Sequence, residues 1–149
     1  MLCVHVCYPV SVKDMELSKD HSSITEFLNV DLDIYAPFDL QPLVSSLGKK
    51  VIALYVGRES RSCTAHLELA GRAKSADSTI RGFCSLIQAL PRAERQLWNR
   101  ATRRDFSIGV QAGEQPNSSD FALEATTVQA AAQLGARIVL TVYSPRLLS

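Results

Sequence analysis

An α+β fold is predicted for this chain, and three observations carry the prediction. Residues 27–35 alternate apolar and polar side chains with the period of a half-buried strand. Residues 80–90 repeat apolar side chains at three- and four-residue steps, which makes the stripe of an amphipathic helix. The chain closes on a helix stop at Gly135 followed by the strand-forming run 138–143.

Each element follows from local chemistry. In the first strand Leu28, Val30, Leu32 and Ile34 point one way and Asn29, Asp31 and Asp33 the other, until Pro37 ends it. Asp39 is placed to cap a short helix over 40–47, which Gly48 stops. A second strand over 51–56, a polar turn over 57–62 and a third strand over 64–69 read as a hairpin. In the third strand Ala65, Leu67 and Leu69 face inward and His66 and Glu68 outward. Ser75 or Asp77 opens the longest helix, striped by Ile80, Phe83, Cys84, Ile87 and Leu90. Pro91 forces a kink or restart, and a further helix follows over 92–101 with Leu97 and Trp98 as anchors. Phe106, Ile108 and Val110 are the inward face of a fourth strand. A turn over 113–120, a brief extension over 121–123 and a helix capped by Thr126 or Thr127 lead to the last strand.

The first six elements read β-α-β-β-α-β, the ferredoxin-like split βαβ sandwich, and a C-terminal αβ unit is added. That topology places the first and third strands side by side in the middle of an antiparallel sheet, with helices on one face. It leaves open where the last strand joins.

The 149 residues suit one domain, and 46% apolar with 21% charged residues is a globular composition. A formal charge of +1 gives no general attraction to nucleic acid or acidic membranes. No segment is long and apolar enough to span a bilayer. Residues 1–10 lack the basic start and the cleavage site of a secretory signal, so a cytoplasmic protein is expected. Cys3, Cys7, Cys63 and Cys84 form no Cys-x-x-Cys pair and read as packing thiols in a reducing compartment.

Residues 1–25 are expected to be a tail and 26–149 a single domain. Residues 1–13 match nothing that follows, which points to Met15 or a nearby position as the native start. A truncation beginning at Met15 should therefore keep its stability. The tail holds Cys3-x-His5-x-Cys7, three soft ligands on one side of an extended strand, without the fourth that zinc normally takes. No metal or other cofactor is expected.

The acidic first strand 29–34 leading into Asp39-Leu40-Gln41-Pro42-Leu43, the strand 106–110, and Leu134-Gly135-Ala136 before a strand ending in Tyr143 resemble the small bacterial family called domain of unknown function 4279. The likeness covers most of 27–143 and rests on apolar positions plus a Gly and a Tyr. It implies a bacterial cytosolic domain without an assigned activity. One departure is that the family carries a tryptophan near the second or third strand, whereas the single tryptophan here is Trp98. A neighbouring family of the same architecture is the other reading.

Three candidate sites emerge. With the first and third strands adjacent, Asp31, Asp33, His66 and Glu68 share the sheet face away from the helices. Three carboxylates and an imidazole suit a hard divalent ion or acid–base chemistry. The plainer reading is a solvated face with cross-strand pairing. Arg92, Arg95, Arg100, Arg103 and Arg104 cluster around Trp98, a set that could meet phosphates or a partner, though arginines on one helix face ordinarily meet water. Gly109 and Gly113 flank a segment without the Lys-Ser/Thr sequel of a phosphate loop, so turn geometry explains them. Cys63 and His66, three apart on a strand, face opposite sides and form no dyad.

The leading expectation is a non-enzymatic protein-interaction module of the immunity-like or regulatory kind, whose partner is another protein and not a nucleic acid or a membrane. The alternative is a metal-dependent enzyme or small-ligand binder using the acidic face. Self-association through an open sheet edge is compatible with either.

Overall fold

The computed structural model describes residues 24–145. The expectations for Met15 and for Cys3-x-His5-x-Cys7 concern positions outside the described residues.

The elements in chain order are β1 Glu26–Ala36, α1 Gln41–Leu47 with a 3-10 turn Gly48–Lys50, β2 Val51–Glu59, β3 Ser62–Leu69, α2 Ala76–Gln88, α3 Arg92–Arg100, β4 Arg103–Gln111, α4 Ala125–Gln133 and β5 Arg137–Tyr143. The fold is α+β, with one five-stranded sheet in the order β2-β3-β1-β4-β5. β1 runs antiparallel to both β3 and β4, and β2 antiparallel to β3. The expected adjacency of the first and third strands is therefore present. The last strand lies outside β4 and parallel to it, because α4 carries the chain back across the sheet before β5 begins.

The core lies between the sheet and the helices. Val30, Leu32, Ile34 and Ala36 of β1, Ala65 and Leu67 of β3, and Phe106, Ile108 and Val110 of β4 are all buried. Ile80, Phe83, Cys84 and Ile87 of α2 meet them, and the rings of Phe83 and Phe106 stack at 5.9 Å. Cys63 and Cys84 are buried and unpaired, and burial pushes the Cys84 thiol up, which makes it a poor nucleophile.

The start of α2 forms as its sequence dictates, whereas the cap position of α1 is Leu40, without a side-chain cap, and Asp39 stands one residue ahead of it. Ser75 caps α2, its hydroxyl accepting the Ser78 N–H at 3.1 Å. Asp39 accepts the Gln41 N–H at 2.9 Å at the start of α1. Proline 91 ends the first long helix and sits just ahead of α3.

Five other local expectations need correction. Leu28 does not face the core: a bulge between Phe27 and Asn29 turns it outward, and Phe27 packs against the core in its place. β2 runs on to Glu59, so the polar turn is only Ser60-Arg61, with Ser60 at φ 55°. Residues 121–123 form no strand. Neither Thr126 nor Thr127 caps α4, which starts after Glu124 with no side-chain cap, because Thr127 is drawn into the core. The tail boundary at 25 is also late. Ile24 bridges to Gln115, and Thr25 bonds the 113–115 loop through both its N–H and its hydroxyl.

Candidate functional site

The sheet face turned away from the helices collects a polar network. Strand parity and register place Asn29, Asp31, Asp33 and Tyr35 of β1 there, beside Thr64, His66 and Glu68 of β3 and Arg103, Asp105 and Ser107 of β4. Arg137, Val139, Thr141 and Tyr143 of β5 extend the row. All four acidic-face candidates therefore lie together, with Asp31 opposite Glu68 and Asp33 opposite His66.

Asp33 is the hub. Its Oδ1 lies 2.6 Å from His66 Nδ1 and its Oδ2 accepts the Ser107 hydroxyl at 2.6 Å. An ionised carboxylate can only accept, so Nδ1 carries the proton in this pair. The order along the chain of bonds is His66–Asp33–Ser107, with the carboxylate in the middle. A nucleophilic serine needs the imidazole beside it to take its proton. Here the Ser107 hydroxyl is committed to an acceptor that orients it without activating it.

A second hub is Asp105, directly across from Asp33 and only 5% exposed. Arg137 grips it with two bonds, Nε to Oδ1 at 2.7 Å and Nη2 to Oδ2 at 2.8 Å. Arg103 adds a contact at 3.2 Å and lies over the Tyr35 ring at 3.8 Å. The Tyr35 and Tyr55 rings flank His66 at 6.2 and 6.0 Å. Asp33 and Asp105 are thus each held by their own hydrogen-bond donors, and the arginines balance the charge of Asp105.

Asp31 is the exception. Its Oδ1 is shielded from solvent and has no hydrogen-bond partner. Burial first, then Glu68 and Asp33, push its pKa up to about 6, against the pull of His66. It opens on a recess of about 150 Å³, lined also by Asn29, Glu68, Ser107, Thr141 and Tyr143. Among the described residues no set of three or more His, Cys, Asp or Glu side chains is grouped to hold a metal ion. The four candidates share a face without converging on one point.

In the arginine run Arg92, Arg100 and Arg103 are exposed and Arg95 and Arg104 half-buried, but Trp98 is not part of that surface. Trp98 is 0% exposed, and its indole N–H donates to the Leu134 carbonyl at 2.9 Å, so it presents no face to a base or a partner. Arg95 donates to the Ile87 carbonyl near the end of α2, and Arg104 to the Trp98 and Asn99 carbonyls at the end of α3. These arginines satisfy helix C-terminal carbonyls, where a cation is favoured. Arg100 lies over the Phe38 ring and Arg103 belongs to the Asp105 hub. Arg92 is exposed at the first position of α3 and has no part in any of these contacts.

Ser107, Asp105, Arg137 and Tyr143 were missing from the sequence-derived site. Parity within β4 marks Ser107 and Asp105 as outward once Phe106 and Ile108 are inward, so that signal was present. Arg137 and Tyr143 needed the position of β5. No family model, curated protein or solved structure matches the chain. No helix among the described residues is long and apolar enough to cross a membrane.

Proposed function

We propose that this chain is a non-enzymatic protein-binding module that takes a basic side chain of another protein into the Asp31 recess. The observation that carries the reading is the orphaned Asp31 oxygen beside Glu68, on a face where Asp33 and Asp105 already have donors of their own. An arginine or lysine would supply the missing donor and relieve the repulsion among the three carboxylates. The Tyr143 and Tyr55 rings, both exposed, provide aromatic contact area of the kind partner surfaces favour. The strand order and the two split βαβ units support a ferredoxin-like sandwich with an added αβ unit. The likeness to domain of unknown function 4279, and with it a regulatory or immunity-like role in a bacterial cytoplasm, is part of the same proposal and rests on analogy of fold and motif.

A defined probe tests the recess. Adding a short arginine-containing peptide to isotopically labelled protein should shift the amide signals of Asn29, Asp31, Glu68 and Thr141, and an acidic peptide should not. Asp31→Lys should abolish the shifts. Equal response to both peptides, or an unchanged response in Asp31→Lys, would refute the reading.

A second reading takes its support from the same carboxyl group. A protonatable Asp31 in a small recess beside Ser107 is a plausible acid for chemistry on a small ligand. A ligand bound only by the native state raises the melting temperature. A rise with magnesium, manganese, calcium or zinc that Asp31→Asn and Asp33→Asn remove would move the assignment to the metal-dependent alternative.

A further inference from the structure

The outer edge of β5 is the least protected stretch of the sheet. Among the described residues no strand pairs with it, so its outward N–H and C=O groups face no ladder partner. Arg137–Tyr143 stays in unbroken register with β4, contains no Pro or Gly, and carries one charge, at its first position. Leu140, Val142 and Tyr143 are 60%, 59% and 52% exposed. β2, the other edge, carries the features that blunt an edge: a bulge at Leu54 and the charges of Arg58 and Glu59.

We infer that two copies of this chain pair antiparallel along β5 across a two-fold axis at Leu140, joining their sheets into one. The strand is complementary to itself in that register. Leu140 meets Leu140, Val139 meets Thr141, Ile138 meets Val142, and Arg137 meets Tyr143. Ile138, Leu140 and Val142 lie on the helix side, in line with Phe106, Ile108 and Val110 of β4. There the second copy's Leu140 and Val142 extend the rim of an apolar groove of about 560 Å³ formed by Ile108, Phe121, Leu123, Ile138 and Leu140. On the open side each Arg137 comes opposite a Tyr143, and the bonds from Arg137 to Asp105 and the position of the Tyr143 ring over Gly109 turn both side chains toward β4 and leave the backbone edge clear. Charge sets the direction. Antiparallel pairing holds the two Arg137 side chains about 20 Å apart at a rise of about 3.4 Å per residue, whereas parallel in-register pairing would put like charges side by side. This contact uses the edge of the sheet and does not depend on what the Asp31 recess binds.

Sedimentation equilibrium of the full chain over micromolar concentrations tests the inference. The wild type should be a dimer, the double variant Leu140→Lys/Val142→Lys a monomer with unchanged circular dichroism, and Ile52→Lys on β2 a dimer. Register has its own readout. Leu140→Cys places two thiols opposite each other at a cross-strand Cα separation of about 4.5–5.5 Å, within disulfide range. Oxidation should therefore yield a covalent dimer that neither the wild type nor Tyr143→Cys forms. This variant decides the matter should the double variant fail to fold. A monomeric wild type, a dimer lost in Ile52→Lys, or no Leu140→Cys cross-link would overturn the inference. So would a monomer whose β5 amides resist hydrogen exchange, which would assign the edge to another segment of the same chain.

Discussion

Asp31 and Asp33 are two residues apart on one strand, yet their surroundings push them toward opposite roles. Asp33 has two donors and Asp31 Oδ1 has none. The ordinary Asp31 pKa of 3.8 applies to the unfolded chain and about 6 to the folded one. Between those values the folded state binds more protons, so its stability falls as pH rises through the window. The full shift sets a ceiling of about 3 kcal/mol at neutral pH, and screening around this partly solvated group lowers it to about 1 kcal/mol. Asp31→Asn should therefore be about 1 kcal/mol more stable than the wild type at neutral pH in urea unfolding. The two should be equal near the lower end of the window. A gain of the same size at both pH values would show that Asp31 does not titrate there. Asp33→Ala should act in the other direction. It strands both the imidazole and the hydroxyl, at a cost of about 2 kcal/mol, and Ser107→Ala should cost about 1 kcal/mol or less. Urea unfolding at neutral pH measures both.

At the scale of elements, the apolar stripes decided most of what could be read without coordinates. Ile80, Phe83, Cys84 and Ile87 are the buried face of α2, and Phe106, Ile108 and Val110 that of β4, as their spacing requires. Leu28 was illegible because a bulge leaves no mark in a period-two pattern: an inward-reading leucine and a bulged one look alike. The bonds made by the arginine run were illegible for a related reason. Composition counts charges, whereas Arg95 and Arg104 are spent on helix-end carbonyls that only the packing of α2, α3 and β4 brings within reach. The Asp33–His66 pair was readable from parity on adjacent strands. The Arg137–Asp105 pair was not, since it depends on the strand order beyond β4. Trp98 locks α3 to the end of α4 through its indole N–H. Trp98→Phe removes that donor and leaves a small void, and should lower stability by about 2–3 kcal/mol in urea unfolding. A loss below about 0.5 kcal/mol, the usual range for surface substitutions, would show that α4 docks independently of it.

For the whole molecule, the sheet order ranks the elements by depth. β1 is bonded on both sides to antiparallel neighbours, and its Val30, Leu32 and Ile34 are fully buried. β2 and β5 each have one neighbour among the described residues and expose apolar side chains. Native-state hydrogen exchange should therefore be slowest for β1 amides, with those of β2 fastest among the strands. β5 amides should exchange quickly in dilute solution and slow as protein concentration rises, if copies pair along that edge. A β2 slower than β1 would contradict the layer order.

The C-terminal αβ unit also bears on how this domain can be cut or rearranged. Asp105 and the Trp98 indole belong to the first four strands' half of the chain, but Arg137 and the Leu134 carbonyl that complete them come from the added unit. A shortened chain stopping at Gln111 would keep every residue of the β-α-β-β-α-β pattern and still be left with Asp105 held by Arg103 alone and an indole lacking its acceptor. The appended segment is thus a keystone for a half that, by topology alone, looks self-sufficient.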